Sequence, residues 1–185
     1  MRRSTRCHQF VLACVAIALL SAVQAAEYPI GAPHRRAGME IGAVYLQPVT
    51  MDPQGMMRVP TSSDIHLEAD IHASSDNRNG FRDGDWIPYL HVGYELVKQN
   101  STQRPITGVL MPMVASDGPH YGDNVKLQGP GIYRLVFRVS PPGAHEGLAM
   151  FGRHTDRATG VRAWFEPFEV EFHFTFAGTG KKGAY

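Results

Sequence analysis

Cysteine is almost missing from this chain. Of 185 residues only Cys7 and Cys14 are cysteine, and both lie near the start. That excludes a disulfide framework and a thiolate zinc site in everything downstream. Charge of one sign is lacking too, with 18 Lys and Arg against 17 Asp and Glu. No basic excess exists to hold a phosphate backbone, so nucleic acid is not an expected partner. The apolar run Phe10–Leu20 covers eleven residues. A bilayer span needs about 20, so the protein is not expected to be membrane-embedded. There is no serine-nucleophile motif, no phosphate loop and no helix-borne HExxH pair. No enzyme class is therefore indicated. Charged residues at 19% and apolar residues at 43% exclude a disordered chain.

What is present begins with an address. Arg2, Arg3 and Arg6 precede the apolar run, and Val23 and Ala25 place small residues at −3 and −1. This reads as a secretory signal peptide over 1–25, with cleavage expected after Ala25. Val11-Leu12-Ala13-Cys14 is not a lipid-attachment box, because the apolar run continues six residues beyond Cys14. Cleavage removes both cysteines and three arginines, leaving 15 basic against 17 acidic residues. A thiol-free mature chain suits an oxidising compartment such as a bacterial periplasm.

The remainder reads as a single all-β domain. Residues 26–38 are polar with Gly and Pro and are expected to form a loose leader; 178–185 are expected to be a tail. Between them, 39–177 holds strand-like runs bounded by Gly, Pro, Asn and Asp. The expected strands are Glu40–Leu46, Asp64–Ala73, Trp86–Val97, Pro105–Met111, Gly131–Val139 and Trp164–Phe176. Turn clusters are expected at Ser74–Gly84, Gln99–Arg104, Ser116–Asn124 and Pro141–Gly147. Thirteen Pro and nineteen Gly argue against long helices. About seven short strands in this length form the pattern of a β-sandwich.

Three clusters carry metal-ligand chemistry. In Ile65-His66-Leu67-Glu68-Ala69-Asp70-Ile71-His72 the apolar residues alternate with four metal-competent ones. A strand puts Ile65, Leu67, Ala69 and Ile71 toward the core and His66, Glu68, Asp70 and His72 on the other face, about 7 Å apart at each step. The plain alternative is a solvated polar face. Met111 through Gly122 places two thioethers, Asp117 and His120 around a bend expected at Gly118-Pro119, which can turn Met113 and His120 toward one point. His154 lies in a Gly-rich connection, where a lone histidine is usually only a loop residue. Thioether suits copper, above all the reduced ion; imidazole suits copper and iron; carboxylate suits iron and manganese. Neutral imidazoles are required, so binding should weaken as His protonates, at about pH 6. Met51 to Met57 is read as a hydrophobic loop contact in preference to a second soft-metal patch. Glu171 and His173 are read as solvated surface, and Trp86 and Trp164 as core packing.

The chain closely resembles the bacterial periplasmic high-affinity iron-transport accessory proteins. The resemblance rests on Pro29-Ile30-Gly31, Met39-Glu40-Ile41, Val44 through Pro48, Asp64 through Ala73, Asn79-Gly80-Phe81 and Trp86 through Leu90. It continues through Met111–Gly122, Gly152-Arg153-His154, Thr159-Gly160-Val161 and Trp164 through Phe168. It implies an immunoglobulin-like β-sandwich, a homodimer with its sites near the subunit interface, and work beside an inner-membrane iron permease. It also implies a copper site of His66, Met113, His120 and His154, with Glu68 and Asp117 close by, able to accept iron or manganese. Asp70 and His72 are not carried over as direct ligands.

The leading expectation is a periplasmic copper- and iron- or manganese-binding protein that supports iron uptake. It is not expected to be an enzyme, unless bound copper adjusts the oxidation state of iron. Two alternatives stay open: a periplasmic copper chaperone or resistance protein, and a β-sandwich interaction module with no metal role.

Overall fold

The computed structural model describes residues 27–144 and 150–180. The expected signal peptide, His145 and most of the expected tail lie outside the described residues. Nine strands form in chain order: β1 (Tyr28–Pro29), β2 (His34–Arg36), β3 (Met39–Leu46), β4 (Ile65–Ala73), β5 (His91–Lys98), β6 (Ile106–Ala115), β7 (Gly118–Val125), β8 (Gly131–Ser140) and β9 (Phe168–Phe176). The only helical element among the described residues is a 3-10 turn, Pro60–Ser62. All pairings are antiparallel, and the fold is an immunoglobulin-like β-sandwich.

One layer runs β1 and β2 on β3, then β4, β7 and the second half of β6. The other runs from the first half of β6 through β5 and β8 to β9. β6 therefore belongs to both layers. Leu110 still pairs with Val92 of β5, whereas Met111 already pairs with Gly122 of β7. Pro112, which has no N–H to give to a ladder, sits beside that change of partner.

Strict alternation builds the core between the layers. Ile65, Leu67, Ala69 and Ile71 of β4 are fully buried, as the period-two pattern predicts. Phe172, Phe174 and Phe176 of β9 point in from the opposite layer. The layers meet where Tyr45 of β3 lies 5.4 Å from Phe174 and 6.3 Å from Phe176, ring centre to ring centre. Such aromatic side chains each bury enough apolar area to contribute about 1.5–3 kcal/mol. No disulfide is needed at this length. The Tyr133 hydroxyl in β8 donates to Gly129 O at 2.7 Å and accepts from Gln128 N–H, closing a tyrosine corner of the kind found in immunoglobulin-like sandwiches.

Three expectations need correction. The supposed loose leader carries β1 and β2, both paired with β3, and Tyr28 stacks on Tyr45 at 5.3 Å. Its Gly and Pro interrupt pairing without preventing it. Trp86 makes only an isolated bridge to His72, and the strand expected from 86 begins at His91. The expected turn Ser116–Asn124 is mostly strand: Ala115 pairs with Gly118, so the reversal is confined to Ser116 and Asp117. Pro119 is tolerated in β7 because the ladder to β4 begins only at Tyr121.

Candidate metal centre

The centre sits where β4, β7 and β6 lie side by side. Register alone sets its plan. On β4, His66 pairs with Asn124 and Glu68 with Gly122 of β7. On β6, Met111 pairs with Gly122 and Met113 with His120 of β7. His120, Gly122 and Asn124 alternate with the buried Tyr121, so all three share the face that carries His66 and Glu68. Gly122 is the middle of this grid and the one position there without a side chain.

The missing side chain makes a well. A β-carbon at Gly122 would lie 2.6 Å from His66 Nε2 and 3.0 Å from Met113 Sδ. An imidazole nitrogen and a thioether sulfur thus converge over a bare backbone. Glu68 Oε1 stands 3.5 Å from His66 Nε2 and 3.3 Å from His120 Nε2. One donor atom from each of His66, Glu68 and His120 lies within 4.8 Å of the other two, and all three residues are buried.

Asn124 determines which His66 nitrogen faces the well. Its Nδ2 donates to Val49 O at 2.8 Å and to Arg58 O at 2.9 Å, which uses both amide hydrogens. Its Oδ1 is left as an acceptor, taking the Val49 N–H and standing 3.0 Å from His66 Nδ1. Nδ1 therefore carries the hydrogen, and Nε2 presents a lone pair. That Nε2 is buried and has no hydrogen-bond partner among the described residues. The 3.5 Å approach of Glu68 is too long for a hydrogen bond and makes a Coulombic contact only.

The electrostatics call for a cation. Burial lowers the His66 pKa to about 4, with neighbouring His120 adding to the effect, although the Asn124 hydrogen bond opposes it. The imidazole therefore stays neutral, and proton competition at His66 falls well below the expected pH of about 6. Glu68 is pushed up to about 8, first by burial and then by Asp70, Glu27 and Asp117. Asp70 is raised chiefly by burial, and Glu27 by burial and by a hydrogen bond shared with Asp117. Among the described residues, no Lys or Arg lines either of the two clefts that meet at the site, of about 210 and 730 Å³. Carboxyl and imidazole lone pairs this close need a proton or a cation between them. Two imidazoles, one thioether and a carboxylate form a donor set that fits copper, with the carboxylate side also fitting iron or manganese.

The residues expected from the sequence fall into three positions. His66, Glu68, Met113 and His120 come together around Gly122. Asp117 sits in the β6–β7 turn and lines the smaller cleft with Glu27, Asp70 and His72. His154 is not part of the cluster. It lines another cleft with Phe81, Phe151 and Trp164, and its Nδ1 lies 2.8 Å from Thr159 Oγ1. Glu27, Gly122 and Asn124 were missed. A single acid in an apparent leader carries no sequence signal. Gly122 and Asn124 lay in what looked like a turn, where glycine and asparagine are ordinary.

Fold and site together define a β-sandwich protein with a candidate metal centre of buried imidazoles and carboxylate beside a half-buried thioether. The comparisons with known proteins agree. A sequence model of the Fe2+ transport protein family matches residues 24–178, and the chain belongs to that family. A UPF0423 protein of Brucella abortus is 58% identical over 171 residues, covering 92% of this chain and 93% of that one. A copper-bound variant of Campylobacter jejuni P19 superposes with a TM-score of 0.78 at 49% identity, covering 84% of this chain and all of that chain. A copper-bound variant of FetP from uropathogenic Escherichia coli gives a TM-score of 0.78 at 48% identity, covering 83% and 99%.

Proposed function

We propose that this protein binds copper in the periplasm and supports iron uptake through an inner-membrane iron permease. The observation that carries the reading is the buried, unpartnered His66 Nε2, which converges with His120 and Glu68 on one point. His66 Nε2, His120 Nε2 and Met113 Sδ would hold copper, and Glu68 would give an oxygen to copper, iron or manganese. Bound there, copper would supply Lewis acidity and a change of valence. The protein's own part is binding, exclusion of water and control of the protons on Glu68 and His66. It works by binding and delivery, not by turnover.

The same reading makes the working form a homodimer. His154 belongs to the expected ligand set yet lines another cleft, so a single subunit does not bring it to His66 and His120.

Titration of the mature protein with copper, and with ferrous or manganous ion in competition, tests the proposal. A His66→Ala/His120→Ala variant should lose copper. Equal, weak binding by both proteins would sink the site and favour a metal-independent module. A deletion strain should fail under iron starvation; failure under copper stress alone would favour a copper chaperone.

A further inference from the structure

A hydrophobic loop contact leaves Met56 of the Met51–Met57 stretch unexplained. Met56 is 55% exposed, so its side chain is not packed away. Met51 and Met56 of this loop instead line the larger cleft together with Met111 and Met113 of β6. Of eight methionines in the chain, four face this one space. The cleft continues to His66, Glu68 and His120 at its inner end. Thioethers are poor ligands for hard divalent ions and good ones for soft monovalent ions.

The loop that carries Met51 and Met56 is also tied to the centre. Asn124 holds both Val49 and Arg58, one before and one after the two methionines, while touching His66 Nδ1 with the same amide. One side chain therefore sets the position of the thioether wall and the orientation of the imidazole it faces. A loop serving only as a cover would need neither sulfur nor a clamp shared with the ligand.

We propose that Met51 and Met56 form a docking site for a soft monovalent ion, cuprous in the cell, from which the ion passes by ligand exchange to Met113 and His66. This rests on the copper reading of the centre. No redox change is involved: the ion keeps its charge and exchanges thioether for thioether and then imidazole.

Silver(I) is the redox-inert probe. It is titrated into full mature protein carrying 13C-methyl methionine, and the methyl resonances are followed. The expected result is a shift at Met51 and Met56, with no shift at these methyls on adding manganous ion. The shift should persist in His66→Ala/His120→Ala, because the docking site precedes the centre. Met51→Leu/Met56→Leu keeps side-chain volume and removes both sulfurs. It should lose one silver equivalent and load cuprous ion from a chelate more slowly, with wild-type affinity for cupric ion. A shift confined to Met113 would overturn the docking site and leave the centre standing. Failure of any methionine to shift, with no copper bound by wild type, would instead overturn the centre itself. Equal loading rates for wild type and the leucine variant would also overturn the docking site.

Discussion

Gly122→Ala is the sharpest single test of the centre. Gly122 has an ordinary extended-strand backbone, so alanine brings no conformational strain there. The conflict lies entirely in space, since the added carbon would stand 2.6 Å from His66 Nε2 and 3.0 Å from His66 Cε1 and Met113 Sδ. Ordinary contact lies at about 3.5 Å, so something must move by nearly 1 Å. Met113 is flexible and half-buried and can give way. His66 cannot, being fully buried and held by Asn124. Displacing the ring strains that hydrogen bond, and overpacking of this kind costs about 1–3 kcal/mol. The melting temperature of the protein should fall by roughly 2–10 °C. Copper affinity should fall by about 100-fold, because a misplaced imidazole is both a lost ligand and an obstacle. Competition against a chelator of known affinity measures the second effect and thermal denaturation the first. Gly108→Ala is the control: its β-carbon would meet the Tyr94 ring in the other layer, costing stability with no effect on copper. Wild-type copper affinity in Gly122→Ala would show that the donors do not converge over this glycine.

The buried acids and imidazoles also predict a pH signature in chelator-treated protein. Glu68, raised to about 8, binds its proton more tightly folded than unfolded, so its contribution is fully present below about pH 4.5 and is lost as pH rises through 8. His66, lowered to about 4, acts oppositely, with stability present above about pH 6.5 and lost as pH falls through 4. Urea unfolding should therefore show wild type weakening between about pH 6.5 and 8, and Glu68→Gln should remove that decline; parallel curves would refute the assignment. Asn124→Ala should lower copper affinity about 10- to 100-fold and open the 49–58 segment to proteolysis, whereas Asn124→Asp keeps the acceptor for His66 and should spare copper better than it spares the loop. Asp64 accepts from Leu127 N–H at 2.8 Å and from Lys126 Nζ at 2.7 Å, so Asp64→Ala should cost about 1–3 kcal/mol in denaturant unfolding with copper binding unchanged.

The β-sandwich was legible because alternation survives in the strands that matter. Ile65 to Ile71 and Phe172 to Phe176 each place every second residue in the core, as a buried face requires. The same alternation told that His66 and Glu68 share a face. It did not tell that this face is buried as well. A period of two separates the sides of a strand, and only what packs over the second side, here the 49–58 segment held by Asn124, decides whether it meets water. The β6–β7 hairpin was misread for a related reason. Gly118 and Pro119 are turn residues by local preference, but pairing with Met111–Ala115 on one side overrides that preference.

Residue type along the chain was enough to determine a thiol-free sandwich and the donor chemistry of His66, Glu68, Met113 and His120. Side-chain chemistry is a property of the residue itself, and strand periodicity is local, so both can be read without the fold. Tertiary structure alone decided that Gly122 is the floor of the site, that Asn124 fixes the His66 tautomer and that His154 stands apart. The first two depend on cross-strand register between segments tens of residues apart, and the third on the path of the connection between β8 and β9. A register shift of one residue would turn every donor to the opposite face, and nothing in a single strand specifies which partner sets it.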